Sequence, residues 1–177
     1  DKGTLAHYLN ESFNPRAEII GDVTDDYTDR NYGNSVVEGP LDEEGIASGA
    51  DHGTHVAGII GADRTNSIGI KGIAEDVRFM SLRAVPDGDE YDKDVANSVR
   101  YSVDNGAKIL NMSFGKSYSP GKKAVDAAFE YAASKNVLIV HAAGNSNLDI
   151  DVAANFPNKK SSSGSLIPGW LEIGASS

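Results

Sequence analysis

Residues 109–143 read ILNMSFGKSYSPGKKAVDAAFEYAASKNVLIVHAA, and this stretch decides the fold. The apolar run at 109–114 predicts a strand, and the continuous apolar run at 137–143 predicts a strand buried on both faces. Between them, Ser119 and Pro120 are typical of the N-cap and the first residue of a helix. The apolar residues of that helix predicted to face the core are Val125, Ala128, Phe129 and Ala132. Two strands joined by a helix with short connections predict a parallel pair with a right-handed crossover.

The same alternation continues on both sides of this stretch. The pattern predicts helices at residues 52–62 and 92–105, with Gly106 directly after the second helix, and strands at 77–85 and 170–175. The whole chain is therefore predicted to be an α/β protein with a three-layer, doubly wound, mostly parallel sheet. In such sheets ligands bind beyond the carboxyl ends of the strands. The segments predicted to lie there are residues 86–88, 113–115 and 144–145.

Composition excludes several classes of function. The chain has 177 residues with 40% hydrophobic and 24% charged residues, which is typical of a globular domain with a proper core. It has no cysteine, so thiolate metal sites and a cysteine nucleophile are excluded within this sequence. Its net charge of −10 and the lack of a basic stripe argue against a nucleic-acid partner. No apolar run is long enough to predict a membrane span.

The first part of the chain has a different character. Residues 22–45 are rich in Asp, Gly and Asn and show no periodicity, which predicts a surface loop. We therefore expect a polar lead-in segment at residues 1–45 and a globular domain at 46–177. The carboxylates of the loop do not have the spacing of an EF-hand, so a solvated acidic loop is favoured over a calcium site.

Two histidines lie close together at the start of the helix predicted at 52–62. His52 and His55 are three residues apart, so both could face one ligand, but a catalytic zinc wants a third ligand and the HExxH arrangement is absent. In the alternative interpretation His52 faces a cleft as a general base, because the helix dipole favours the neutral ring that accepts a proton. His55 is then expected to be half-buried and structural.

Two strand ends carry further candidate residues. Asn145 follows Gly144 at the end of a buried strand, where its amide could stabilise an oxyanion, although Gly-Asn is also a common turn. Ser113, Phe114 and Gly115 end another strand, where an extended peptide could pair by strand addition. An ordinary strand end followed by a loop explains that segment equally well.

Taken together, these segments resemble a known family. DHGTHVAG at 51–58, NSIGIKGIA at 66–74, ILNMSFG at 109–115 and AAGN at 142–145 are similar, in order and separation, to motifs of the subtilisin-like serine peptidases, or subtilases. The resemblance covers roughly residues 49–177. It implies a subtilisin-like fold, incomplete in this chain, and a serine endopeptidase that hydrolyses peptide bonds through an acyl-enzyme with a Ser-His-Asp triad.

The resemblance also implies roles for individual residues. His52 is similar to the general base and Asn145 to the oxyanion donor. Two segments are similar to the walls of the substrate cleft. One consists of Ser113, Phe114 and Gly115, and the other of Ala142, Ala143 and Gly144. The resemblance places a second substrate-pairing strand at residues 87–91 and allows a calcium ion at 66–70, although we expect no required cofactor or metal. The expected partner is a peptide or protein substrate, and the expected location is extracellular, periplasmic or at the cell envelope.

Two parts of the family pattern do not occur in this sequence. No Gly-Thr-Ser-Met-Ala-like segment follows Asn145, and Asp22 is only a weak stand-in for the catalytic acid. The chain by itself is therefore expected to be an inactive fragment of a peptidase. A peptide-binding module without catalysis is the main alternative. A nucleotide-binding doubly wound domain is a remote one, because no Gly-x-Gly-x-x-Gly turn is present.

Overall fold

The computed structural model describes residues 16, 21–30, 43, 49–85 and 88–175. The chain divides into two compact units, Asp1–Asn34 and Ser35–Ser177. In the first unit, residues 21–30 form turns in which Asp25 and Asp26 are exposed. All described helices and strands belong to the second unit. The predicted division at residue 45 stays a prediction.

The second unit contains a parallel sheet and three helices. The helices are α1 (Asp51–Gly61), α2 (Asp92–Asp104) and α3 (Lys122–Ser134), and the strands are β1 (Ile109–Met112), β2 (Leu138–Ala142) and β3 (Trp170–Ile173). The strand order is β1-β2-β3, and both pairings are parallel. In register, Met112 lies beside His141, and His141 lies beside Glu172. The predicted α/β fold with a parallel sheet is confirmed.

One buried cluster joins α2, α3, β1 and β2. Phe129 of α3 is fully buried and packs its ring edge-on against Trp170 of β3, with 5.0 Å between the ring centroids. The buried hydrophobic residues are Val95, Ala96, Val99, Leu110, Met112, Val125, Ala128, Phe129, Ala132, Val137, Ile139 and Ile167. The predicted inward face of α3 is thus confirmed, since every residue of that face belongs to this cluster. Gly106 follows α2 with φ +88°, the left-handed conformation predicted for it.

The strand predicted at residues 77–85 is wrong. Residues 77–85 form no regular structure, and Val77 and Phe79 are 41% and 51% exposed. These two side chains pack on Gly61 at the end of α1, where an added Cβ would lie only 2.4 Å from Val77 Cγ2. A strand needs a neighbour that pairs with its backbone, and none of the described residues supplies one.

The predicted start of α3 is also wrong. The helix begins at Lys122 with Gly121 as its N-cap, and Ser119 does not cap it. The hydroxyl of Ser119 instead donates to Asp92 Oδ1 at 2.8 Å, and the Gly121 N–H donates to Asp92 Oδ2 at 2.6 Å. A carboxylate from the first turn of α2 therefore takes the place of a local cap, which short-range sequence rules do not anticipate.

A long irregular segment connects β2 to β3. It is tied to the end of β1 by an antiparallel bridge between Lys116 and Phe156, and it contains a second bridge between Lys160 and Leu166. None of the helices in the described part of the chain has the length and apolar character needed to cross a bilayer.

Candidate active site

The ends of β1 and β2 bring most of the predicted site residues together. Ser113–Gly115 continues β1, residues 143–145 continue β2, and the two strands are hydrogen-bonded neighbours. Two of the predicted site residues, Ser113 and Ala142, line an open cavity of about 150 Å³ on the three strands. Its lining residues are Asn111, Met112, Ser113, Val140, His141, Ala142 and Ile173. A cleft at the carboxyl end of a parallel sheet is where this type of fold binds ligands.

The direction of the backbone groups after β1 follows from the register. The Leu138 N–H donates to the Lys108 carbonyl at 2.9 Å, so the even-numbered residues of β1 direct their backbone groups toward β2. Neighbouring residues of an extended strand direct these groups to opposite sides. The peptide groups of Ser113 and Gly115 therefore face the free edge of the sheet, and neither makes a backbone–backbone hydrogen bond with another described residue.

Residues of the segment between β2 and β3 pack closely against this edge. A Cβ added to Gly115 would lie 2.7 Å from Asn155 Oδ1 and 3.3 Å from the Phe156 carbonyl oxygen, so this position has no room for a larger residue. The next residue, Lys116, exchanges two backbone hydrogen bonds with Phe156, at 2.9 and 2.8 Å. The segment Ser113–Gly115 is therefore packed against Asn155 and Phe156 and anchored at its end by Lys116.

A buried polar cluster supports the same edge. Lys116 Nζ donates to the Glu90 carbonyl and forms an ion pair with Asp92 Oδ1 at 2.9 Å. Burial raises the pKa of the Glu90 carboxyl, whose Oε1 has no hydrogen-bond partner among the described residues. The Lys116 side chain thus joins the end of β1 to Glu90 and Asp92, at the end of the segment 87–91 where a second substrate-pairing strand is predicted.

A second polar network lies under the edge, on the face of the sheet that packs against α3. His141 of β2 is 1% exposed, and both of its ring nitrogens are engaged. Nδ1 lies 2.6 Å from Glu172 Oε1, and Nε2 lies 2.9 Å from the Phe114 carbonyl oxygen. Trp170 Nε1 donates to Glu172 Oε2 at 2.7 Å. Sequence reasoning missed this network, although a histidine inside the apolar run 137–143 was a signal for it.

Asn145 lies in the exposed turn that follows β2. Gly144 precedes it with φ +92°, a conformation that favours glycine, and this residue turns the chain out of the sheet. Ala142 and Ala143 are half-buried, whereas Gly144 and Asn145 are exposed. The Asn145 amide is thus free to contact a ligand at the same end of the sheet as Ser113–Gly115, and its role as oxyanion donor stays a prediction.

His52 is the second residue of α1 and is exposed. No residue of α1 is buried. The described contacts of this helix are with the segment that follows it. The carbonyls of Ile59 and Ile60 accept from the N–H groups of Ile73 and Ala74. The structure places no described residue within hydrogen-bonding distance of the His52 ring. Its role as general base stays a prediction. His55 is exposed, so the expectation that it is half-buried is wrong, because no described element packs over that face of α1.

Asp22 belongs to the first unit. Its side chain is buried and forms an ion pair with Arg16 Nε. The arginine partner occupies one of the two carboxylate oxygens that a catalytic histidine could use. The assignment of Asp22 as the catalytic acid stays a prediction.

The loop for which calcium was considered is exposed. Asn66 Oδ1 accepts from the Ile68 N–H at 2.9 Å, and Ser67 and Gly69 have φ values of +58° and +64°. Just before it, the Thr65 N–H and hydroxyl lower the pKa of the Asp63 carboxyl. Among the described ranges, no group of three or more acidic or histidine side chains converges on a metal site.

Comparisons with known proteins agree with this architecture. The model of the Subtilase family matches residues 6–177. The chain is 38% identical over 96 residues to a thermophilic serine proteinase of Bacillus sp. (strain AK1), a match that covers 54% of this chain and 23% of that protein. It is 36% identical over 111 residues to thermitase of Thermoactinomyces vulgaris, covering 62% of this chain and 38% of that protein.

A solved structure is also similar. It is that of the prenylagaramide maturation protease PagA, with a TM-score of 0.49 and 25% identity over 71% of this chain and 43% of that one. The chain thus spans between about a quarter and two fifths of these relatives. Because the family model covers nearly the whole chain, including every motif segment described above, the chain belongs to the Subtilase family.

Proposed function

We propose that the protein that contains this chain is a serine endopeptidase, which cleaves peptide bonds through an acyl-enzyme. The observation that carries the proposal is the edge at Ser113 and Gly115, whose backbone groups bond no other described residue, at the same end of the sheet as the exposed Asn145, within a chain of the Subtilase family. An extended peptide can add to such an edge as a further strand. The scissile carbonyl of that peptide would then lie near the Asn145 amide, which donates to the developing oxyanion.

His52 is the proposed general base. It is the second residue of α1 and is exposed, so its ring is accessible to accept a proton from a serine hydroxyl. After attack, the same ring donates the proton to the leaving amine. Ala142, Ala143 and Gly144 form the proposed opposite wall of the cleft, and Ser113, Phe114 and Gly115 form the wall that pairs with the peptide.

The proposed partner is a peptide or protein substrate, and the proposed location is outside the cytoplasm. Two relatives support this location by their names: the minor extracellular protease Vpr of Bacillus subtilis and the halolysin-like extracellular serine protease Nep of Natrialba magadii. The proposed chemistry uses no cofactor or metal, and residues 66–70 are the place proposed for a calcium ion.

The test is covalent labelling of the complete gene product with a fluorophosphonate, which reacts with an activated serine. We expect the wild-type protein to be labelled and His52→Ala to be labelled at least about a hundredfold more slowly, since general-base catalysis contributes on the order of 10²–10⁴-fold. His55→Ala is the matched control on the same exposed helix and is expected to react like the wild type. If both histidine variants lose labelling equally, a paired role such as metal binding replaces the proposed base.

The oxyanion role is tested separately. Asn145→Ala is expected to lower kcat for a peptide substrate by about 10²–10³-fold with little change in KM, because the amide acts on the transition state. Asn147→Gly, in the same exposed turn, is the control, because the φ of +53° at this position suits glycine. A wild-type protein that binds peptides but is never labelled would show that the protein is a peptide-binding module and not a peptidase.

A further inference from the structure

The buried imidazole of His141 is not part of the proposed triad, yet it contacts the proposed substrate edge. We propose that His141 is a positioning residue for substrate binding: it holds the Phe114 carbonyl so that the peptide groups of Ser113 and Gly115 face an extended peptide. This inference rests on the proposed function, because it assigns a purpose to the edge that the proposed substrate would occupy.

The Phe114 carbonyl needs a partner because the sheet ladder ends just before it. The register in which Leu138 N–H donates to the Lys108 carbonyl, continued along both strands, would pair the Gly144 N–H with the Phe114 carbonyl. Gly144 instead adopts φ +92° and turns away, and the preceding Ala143 N–H donates to Ile173 of β3. The Nε2 atom of His141, 2.9 Å from the Phe114 oxygen, takes the place of the missing ladder donor.

The hydrogen on Nε2 is fixed by chemistry. A carbonyl oxygen can only accept, so Nε2 must carry the hydrogen of this contact, and Nδ1 makes the contact with Glu172 Oε1 at 2.6 Å. Trp170 donates to the second carboxylate oxygen, so Glu172 is held as well. A continuous chain of hydrogen bonds therefore crosses the sheet, from Trp170 and Glu172 on β3 through His141 on β2 to Phe114 beyond β1.

The consequence for binding follows from the alternation of an extended strand. If the Phe114 carbonyl is held toward β2, the backbone groups of the residues on either side must point away from it, toward the free edge. If the Phe114 peptide rotates, Ser113 and Gly115 lose that orientation together. His141 thus fixes the direction of the hydrogen-bonding groups that an extended peptide meets, without touching the peptide itself.

Two substitutions separate the contacts of the ring. The amide nitrogen of Gln can reach the region of Nε2, so His141→Gln can keep the donor to the Phe114 carbonyl. The shorter amide of Asn reaches only the region of Nδ1, so His141→Asn can keep a contact with Glu172 alone. Both variants are made in the complete gene product, with the fold checked by circular dichroism. Tyr131→Phe is the control, since it removes one exposed hydrogen bond, to Asp104, at a site remote from the edge.

The readout compares a peptide substrate with several residues before the scissile bond and the small fluorophosphonate, which does not need the edge. We expect His141→Asn to lower kcat/KM for the peptide about tenfold, mainly through KM, while its labelling rate stays within about twofold of the wild type. His141→Gln is expected to recover most of the loss, and Tyr131→Phe to match the wild type. N-methylation of the substrate amide that pairs with the edge should weaken binding of the peptide to the wild type. The same methylation should weaken binding to the His141→Asn variant only slightly.

Several outcomes would overturn the inference. If the labelling rate and the peptide cleavage rate of His141→Asn fall in parallel, the variant is generally destabilised. If His141→Asn is as active as His141→Gln, the loss of activity arises from the contact with Glu172 and not from the contact with Phe114. If even the wild-type protein is not labelled, the proposed function fails by itself. In that case the affinity of the same peptide, measured by fluorescence anisotropy, decides the role of His141, and equal affinities for the wild type and the Asn variant would refute it.

Discussion

The carboxylate of Asp92 is predicted to be the most costly single polar group to remove. It accepts from Gly121 N–H at 2.6 Å, from the Ser119 hydroxyl at 2.8 Å and from Lys116 Nζ at 2.9 Å, and the side chains of Asp92 and Lys116 are 4% and 8% exposed. Removing one member of a buried ion pair leaves the other charge unpaired, which costs about 3–5 kcal/mol. Asp92→Ala is therefore expected to lower the free energy of unfolding by this amount.

The assay is urea unfolding at equilibrium, followed by circular dichroism. Lys116→Met is a second single variant, and the double variant Asp92→Ala with Lys116→Met is expected to lose about 1–3 kcal/mol less than the sum of the two, because it buries no unpaired charge. The matched control is Arg64→Met, which breaks the 3.4 Å pair with Glu75 at side chains that are 38% and 74% exposed, and should cost no more than about 1 kcal/mol. A cost of less than about 1 kcal/mol for Asp92→Ala, or strict additivity in the cycle, would refute the reasoning.

Two further predictions concern the core and the cleft. Phe129→Ala is expected to lower the free energy of unfolding by about 3–5 kcal/mol, because the fully buried ring leaves a cavity beside Trp170, and a loss below about 2 kcal/mol in the same urea assay would contradict it. Burial raises the pKa of Glu90, so the folded chain binds this proton more tightly than the unfolded chain, and stability falls as the pH rises through the folded-state pKa. Glu90→Gln should therefore be more stable than the wild type at pH 7, an advantage that disappears below the ordinary glutamate value of 4.5. Urea unfolding of the wild type and Glu90→Gln at pH 7 and below pH 4.5 checks this. The same difference in stability between the two proteins at both pH values would rule it out.

Local patterns predicted most of the regular elements. Several elements lie where the sequence placed them, within two residues at the strand ends: the helix α2 with the Gly106 that follows it, the inward face of α3, and the strands near 109–114 and 137–143. These features depend on periodicity and on glycine conformation, both of which are local properties.

The errors arose where distant residues intervene. Ser119 has the composition of an N-cap, but its hydroxyl donates to Asp92, which is far away in the sequence. Residues 77–85 have the composition of a strand, but they pack on Gly61 without a backbone partner among the described residues. The contact between His141 and the Phe114 carbonyl depends on where a sheet ladder ends, which no single-sequence pattern reveals. Of the candidate site, the sequence located the segments, and the structure added the direction of their backbone groups.

Among the described strands β1 lies at the border of the sheet, and this position has a consequence for the choice of cleavage sites. An edge of this kind recognises only a chain that has given up its own helical or sheet hydrogen bonds over several residues. In a folded target, such stretches exist where local opening costs little free energy, as in loops and fraying termini. If the protein is a peptidase, the first cut is expected where local unfolding of the target costs the least free energy, and the target's side chains are expected to matter less.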